Sequence, residues 1–299
     1  MHLFFIRHGE TEHNVAGLLA GVSDSRLTNH GVLQTQRLGH YLTTHRNLRF
    51  TKIYASDLQR AFMTAEELHR NQAAKLSAEV VPKVVKLELL REQDFGSLEL
   101  VPWNSRRVLQ HLDPGVLYPQ HESFRPQETT ETMVRRAESF LDDFILPHFA
   151  RGALDATTAT QECVAVVSHG LFLSVLWRTL LRKFNSNTVA LAPKVEAWGV
   201  RSLEHLPSWT NTGFLELTIE RPSSELAHQS QMAQPLASTD IPSYPLKGCS
   251  MTIHGINSKD HLQDLKRTRG GLGSSPYDAK QQTLDGFFKR PSGGRGSIT

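Results

Sequence analysis

Cysteine is almost absent: Cys163 and Cys249 are the two among 299 residues. Two cannot make a disulfide framework, and Cys163 falls inside an apolar run where a reduced, inert core thiol is expected. Long apolar runs are absent too. None reaches the roughly 18 residues of a membrane helix, and the first residues lack the basic-then-apolar order of a signal peptide. No acidic cluster has Mg²⁺ spacing and no Cys/His set has zinc spacing, and no internal repeat stands out. Neither sign of charge dominates, the formal net charge being +3, so strong direct nucleic-acid binding is not expected. Together these absences predict a soluble protein, cytoplasmic and/or nuclear and not secreted, with no membrane partner, no metal and no other cofactor.

What charge there is sits unevenly. Beyond residue 220 there are ten Lys and Arg against six Asp and Glu, which leaves residues 1–220 with a balance of −1. From Arg221 the composition also turns to Ser, Pro, Gln and Gly. These shifts predict one folded unit over 1–220 and a disordered basic extension over 221–299.

Within 1–220, Leu3-Phe4-Phe5-Ile6 reads as a strand buried on both faces. Cys163-Val164-Ala165-Val166-Val167 reads as a second such strand. Phe50–Ala55 and Val80–Leu90 read as further extended stretches, and 211–219 as a last, half-exposed strand. Helices are predicted after the N-cap Thr28, after the capping-box pattern Ser56-Asp57-Leu58-Gln59, over Thr132–Phe149, and over Leu171–Leu181. Residues 97–160 read as a cap or helical insertion whose first part is irregular. Alternation of strands and helices predicts an α/β fold with a mainly parallel sheet and helices on both faces.

Both fully apolar strands end on a His-Gly pair, in Arg7-His8-Gly9-Glu10 and in Ser168-His169-Gly170. Ligands of such sheets bind beyond the carboxyl ends of the strands, so parallel pairing would bring His8 and His169 to one edge. Arg60, in the first turn of its helix, would lean back toward the same place, and Glu92 would arrive from a neighbouring loop. Two guanidiniums suit the non-bridging oxygens of a phosphoryl group, and a second imidazole, if protonated, adds a donor. The other imidazole is then a nucleophile toward phosphorus, and Glu92 is the carboxyl placed to protonate the leaving oxygen and later to take a proton from water.

These stretches resemble the histidine phosphatase superfamily, in its phosphoglycerate-mutase-like branch, over about residues 1–220. The matching residues are Arg7-His8-Gly9-Glu10-Thr11 with Asn14, Leu27-Thr28 with Gly31 and Gln34, and Ser56-Asp57-Leu58 with Arg60-Ala61 and Thr64-Ala65. Further along they are Glu92 with Phe95-Gly96, Glu128-Thr129 with Arg136, and Ser168-His169-Gly170. The resemblance implies that His8 is the phosphorylated nucleophile and that Arg7, Arg60 and His169 form the phosphate pocket. It also implies Glu92 as proton donor and Asn14 as a supporting contact. Family members often continue after Phe-Gly with an aromatic-acidic-Gly pattern, where this chain has Ser97-Leu98-Glu99-Leu100. The basic stretch of a glycolytic mutase's closing segment is not recognisable. A phosphatase acting on a small phosphorylated substrate is therefore expected, with a phosphoglycerate mutase-type transferase or a catalytically weak adaptor as the alternatives.

The adaptor alternative comes from Gln281-Gln282-Thr283-Leu284-Asp285-Gly286-Phe287-Phe288. A single helical turn would put Leu284, Phe287 and Phe288 on one face, with Gln281 beside them. The spacing resembles the short peptide that docks on the DNA sliding clamp, proliferating cell nuclear antigen. The basic pieces Lys266-Arg267-Thr268-Arg269 and Lys289-Arg290 suit nuclear import or a weak nucleic-acid contact.

Overall fold

The structure, a computed structural model, describes residues 1–76, 81–105, 124–151, 162–199, 202–221, 246, 248–268 and 271–278. In chain order it contains β1 (His2–Arg7), the short α1 (Glu12–Ala16), α2 (Asn29–His40), β2 (Lys52–Ser56), α3 (Gln59–Ala73) and β3 (Val84–Leu87). These are followed by α4 (Thr130–Phe140), β4 (Cys163–Ser168), α5 (Gly170–Leu181), β5 (Val189–Leu191), β6 (Phe214–Glu220) and β7 (Ser250–Ser258).

The strands form one sheet in the order β3-β2-β4-β1-β6-β7-β5. β3, β2, β4 and β1 run parallel, β6 runs antiparallel to both β1 and β7, and β5 pairs parallel with β7. The fold is thus α/β with a mainly parallel sheet.

Successive residues of a strand point to opposite faces, and here both faces are apolar. Leu3 and Phe5 enter a core with Phe140 of α4 and Phe172, Leu176 and Trp177 of α5. Phe4 and Ile6 enter a second core with Leu38 of α2 and Ala61, Ala65 and Leu68 of α3. Four fully buried apolar residues in a row, each worth about 1.5–3 kcal/mol, fix β1 at the centre and leave its last residues at the sheet edge. Cys163 lies in the second core, where burial pushes its thiol up to about 12, as an inert core thiol requires. Among the described residues no helix is long and apolar enough to cross a membrane.

Four expectations are corrected. The ordered fold does not stop at residue 220: β7 extends the sheet, and Met251 and Ile253 are fully buried in the first core. β6 is accordingly neither last nor half-exposed, being flanked by β1 and β7 and buried along most of its length. After β7 the chain crosses back over α2, where Tyr277 N donates to Leu27 O at 2.8 Å and Asn29 N to Ser275 O at 3.0 Å. There Arg267, one of the basic residues of the tail, pairs with Glu10. The helix inside 97–160 belongs to the core rather than to a separate cap, since α4 contributes Met133, Ala137 and Phe140. Finally, Ser56 does not cap α3. It still belongs to β2, and its Oγ accepts from Leu58 N at 3.3 Å, while Asp24 Oδ1 accepts from Gln59 N at 3.0 Å and holds the helix start.

Candidate active site

Parallel pairing of β1 with β4 sets Arg7 opposite Ser168, so the two chains leave the sheet side by side. His8 N donates to Ser168 O at 3.0 Å. The rings of His8 and His169 lie 5.1 Å apart between centroids, and both are buried. The close approach of α2 needs glycine: a Cβ on Gly31 would fall 2.0 Å from Glu10 O, and one on Gly9 would fall 2.7 Å from Thr35 Cγ2.

His8 Nδ1 lies 2.7 Å from Gly9 O. A carbonyl can only accept, so the proton is on Nδ1 and the lone pair is on Nε2. Burial pushes the His8 pKa well below 6.5, the Arg60 and Arg7 charges add to this, and the Gly9 bond opposes it. His169 is lowered in the same way by burial and then by Arg60, His8 and Arg7. Both rings are therefore neutral at neutral pH, and the protonated second imidazole considered from sequence is not what the site favours. His169 is a donor all the same. Arg60 Nε donates to its Nδ1 at 3.2 Å, which places the His169 proton on Nε2, and that buried atom has no partner among the described residues.

Arg60 is fully buried, and burial lowers its pKa to about 10, which still leaves it charged at neutral pH. Besides His169, it donates through Nη1 to Ser23 O at 2.9 Å and through Nη2 to Ala20 O at 3.1 Å and Gly21 O at 2.7 Å. A guanidinium has five N–H groups, so one remains. The bidentate phosphate grip expected of Arg60 is not available in this arrangement. Arg7 is the freer of the two, giving Nη1 to Trp209 O at 2.5 Å while its buried Nε has no partner among the described residues.

The loop that takes up Arg60 is itself held by a carboxylate the sequence did not mark. Glu99 Oε2 accepts from Gly21 N and Ser23 N at 3.1 Å each, and Oε1 accepts from Val22 N at 3.2 Å and Phe95 N at 3.0 Å. Residue 99 thus supports His169 through two intermediates.

Glu92 is buried beside the start of α5. Its Oε1 accepts from Phe172 N at 2.9 Å and Gln93 N at 3.0 Å, and Oε2 accepts from Leu171 N at 3.1 Å. Leu171 N and Phe172 N are orphan donors of a helix N-terminus, where an anion is favoured. Oε2, with a single such bond, has a lone pair left for a proton. The segment carrying Glu92 is fixed by Arg136, which pairs with Glu128 through two 2.8 Å bonds and donates to Leu89 O and Arg91 O. That explains why the Glu128 and Arg136 block accompanies the others.

Arg7, His8, Asn14, Arg60 and Glu92 line one cavity of about 650 Å³, together with Trp103 and Trp209. His169 lies behind it against His8 and Arg60. Asn14 serves local structure: its side chain closes a capping box with Thr11, and its Oδ1 also accepts from Asn211 Nδ2 at 3.0 Å. Trp209 and Asn211 come from the loop before β6, and no local pattern singles them out. Gln281, Leu284, Phe287 and Phe288 lie outside the described residues, as do 106–123 of the irregular stretch.

Comparison with known proteins agrees with this geometry. The family model of the histidine phosphatase superfamily (branch 1) matches residues 3–200. A probable phosphatase of Schizosaccharomyces pombe is 29% identical over 290 residues, covering 95% of this chain and 79% of that protein. A probable phosphoglycerate mutase of Klebsiella pneumoniae is 32% identical over 181 residues, covering 60% of this chain and 75% of its own. A solved mycobacterial glucosyl-3-phosphoglycerate phosphatase shares the fold with a TM-score of 0.55 at 18% identity, over 86% of this chain and 99% of that one.

Proposed function

Because the chain belongs to branch 1 of the histidine phosphatase superfamily, and is an enzyme of that kind, we propose that it hydrolyses a small phosphomonoester through a phosphohistidine on His8. The observation that carries this reading is the fixed tautomer of His8, with Nδ1 tied to Gly9 O and Nε2 left with its lone pair. In the first step Nε2 forms a bond to phosphorus as the bond to the leaving oxygen breaks, and Glu92 gives that oxygen its proton. In the second, water attacks phosphorus, Glu92 takes the proton back, and the N–P bond breaks. Arg7, on the cavity wall, binds the phosphoryl oxygens, and the unpartnered Nε2–H of the buried His169 is the second donor assigned to them. No metal takes part in this sequence of steps.

Hydrolysis is favoured over transfer between positions of a glycerate by the whole-chain likeness to a protein named as a phosphatase. A quench of the enzyme with a radiolabelled aryl phosphate should trap a covalent phosphoprotein that is stable to alkali and lost in acid, as a phosphoramidate is. A label that survives acid would overturn the assignment to histidine.

A second reading concerns the tail. Residues 281–288 begin three positions beyond Asp278, and the segment just before is docked on the domain through Tyr277 N and a bridge between Pro276 and Thr28. We propose that this peptide recruits the enzyme to the DNA sliding clamp. The expected result is micromolar binding of purified clamp to the full chain, lost in the double variant Phe287→Ala, Phe288→Ala. Equal binding by that variant, or none by either chain, refutes it.

A further inference from the structure

The cavity lined by Arg7 and His8 carries little positive charge. Among its described lining residues, Arg7 and Arg60 are the Lys or Arg side chains, and both sit at the phosphoryl end, where Arg60 is mostly consumed by loop carbonyls. Trp103, Leu171, Leu206 and Trp209 line the same cavity. Trp103 is 67% exposed and Leu171 39%, an unusual arrangement for large apolar groups beside a polar site.

The two indoles are held differently. Trp209 is buried and fixed by a bond from Nε1 to Ser174 Oγ at 3.0 Å. Trp103 is fixed by its backbone, with Trp103 N donating to Gly17 O at 2.9 Å. Gly17 has φ +67, and a Cβ there would stand 3.6 Å from the Trp103 ring, so the indole edge lies against the α1 turn and the rest of the ring is accessible. An exposed indole on the wall of a cavity is a platform for a flat ring. With Arg7 on the transferred phosphate and Arg60 held by loop carbonyls, a second phosphate or a carboxylate would meet no further Lys or Arg among the described lining residues.

We infer that the site takes phosphomonoesters whose leaving alcohol carries a planar, uncharged ring, in preference to short polyanions such as phosphoglycerate or a sugar bisphosphate. This rests on the phosphatase reading above and specifies its substrate class. Nucleoside monophosphates and phosphotyrosine-type aryl esters share that chemistry.

The test compares steady-state constants of the full chain for thymidine 5′-phosphate, N-acetyl-phosphotyrosine amide, glycerol 3-phosphate, 3-phosphoglycerate and fructose 1,6-bisphosphate. The thymidine and glycerol esters both leave as primary alkoxides, so their ratio reads ring recognition rather than leaving-group ability, and KM is compared for the aryl ester. A preference of about tenfold or more in kcat/KM for thymidine 5′-phosphate over glycerol 3-phosphate is expected, from the size of aromatic stacking on a single platform. In Trp103→Ala that ratio should collapse toward one through a raised KM, and Trp103→Phe should restore most of it. Relative KM values for the two ring substrates then tell which source the site suits. Equal or better turnover of 3-phosphoglycerate or the bisphosphate overturns the inference and leaves the phosphatase reading standing. Absence of turnover on every ester overturns both.

Discussion

Replacement of His8 by Ala should lower kcat/KM toward an aryl phosphate by about 10⁴-fold or more, the scale seen when a nucleophile that works with its neighbours as one unit is removed. The ring has its free lone pair fixed by a bond at its other nitrogen, His8 Nδ1 to Gly9 O. Turnover within tenfold of wild type would sink the assignment. The same burial that makes the ring neutral also predicts a pH effect of definite sign. His8 and His169 both titrate well below 6.5 in the folded chain, so the acidic limb of kcat/KM should fall below pH 6.5. Below that pH the unfolded chain takes up protons that the native state refuses, and stability falls as pH falls. Removing one of the two rings should relieve part of this. Melting curves at pH 7.5 and 5 should therefore show a smaller acid-induced loss of Tm in His8→Ala than in wild type.

How much of this could be read from the chain depended on whether the signal was local. Leu3–Ile6 and Cys163–Val167 are continuous apolar runs, and such a run admits few placements other than the centre of a sheet covered on both faces. Once they pair in parallel, His8 and His169 must meet. β7 carried no comparable signal. Its alternation of Met251 and Ile253 is broken at Gly255 and Ile256, where the pairing with β6 shifts register around Glu216, so a period-2 pattern fails halfway along the strand. It also lies in a stretch whose composition is otherwise polar. The environment of Arg60 was half legible: a cation in a first turn opposes the helix dipole and demands acceptors. Those acceptors turned out to include three backbone carbonyls of residues 20–23, which no side-chain pattern encodes. Glu99 was hidden for the same reason, since its partners are backbone N–H groups.

The second large effect is expected at Glu99, although it touches neither His8 nor the phosphoryl site. Each of its oxygens accepts two backbone N–H groups, from Gly21, Val22, Ser23 and Phe95. The loop so fixed presents the carbonyls that orient Arg60, and Arg60 sets the tautomer of His169. Replacing Glu99 by Gln keeps the shape but turns one acceptor oxygen into an NH₂ that faces two donors. The loop must then shift or leave buried donors unpaired, which costs about 1–3 kcal/mol for each such group. With 1.36 kcal/mol per factor of ten, a fall in kcat/KM of about 100-fold is expected in Glu99→Gln, and Glu99→Ala, which removes the acceptor of all four donors, should fall further. A loss of charge alone would instead lower both variants equally. The structural signature is separate from rate: ¹⁵N shifts of His169 should report a proton held on Nε2 in wild type and a mixture of tautomers in both variants. Wild-type kcat/KM in Glu99→Gln, or an unchanged His169 tautomer alongside a 100-fold loss, would break the chain of support that runs from residue 99 through the loop and Arg60 to His169.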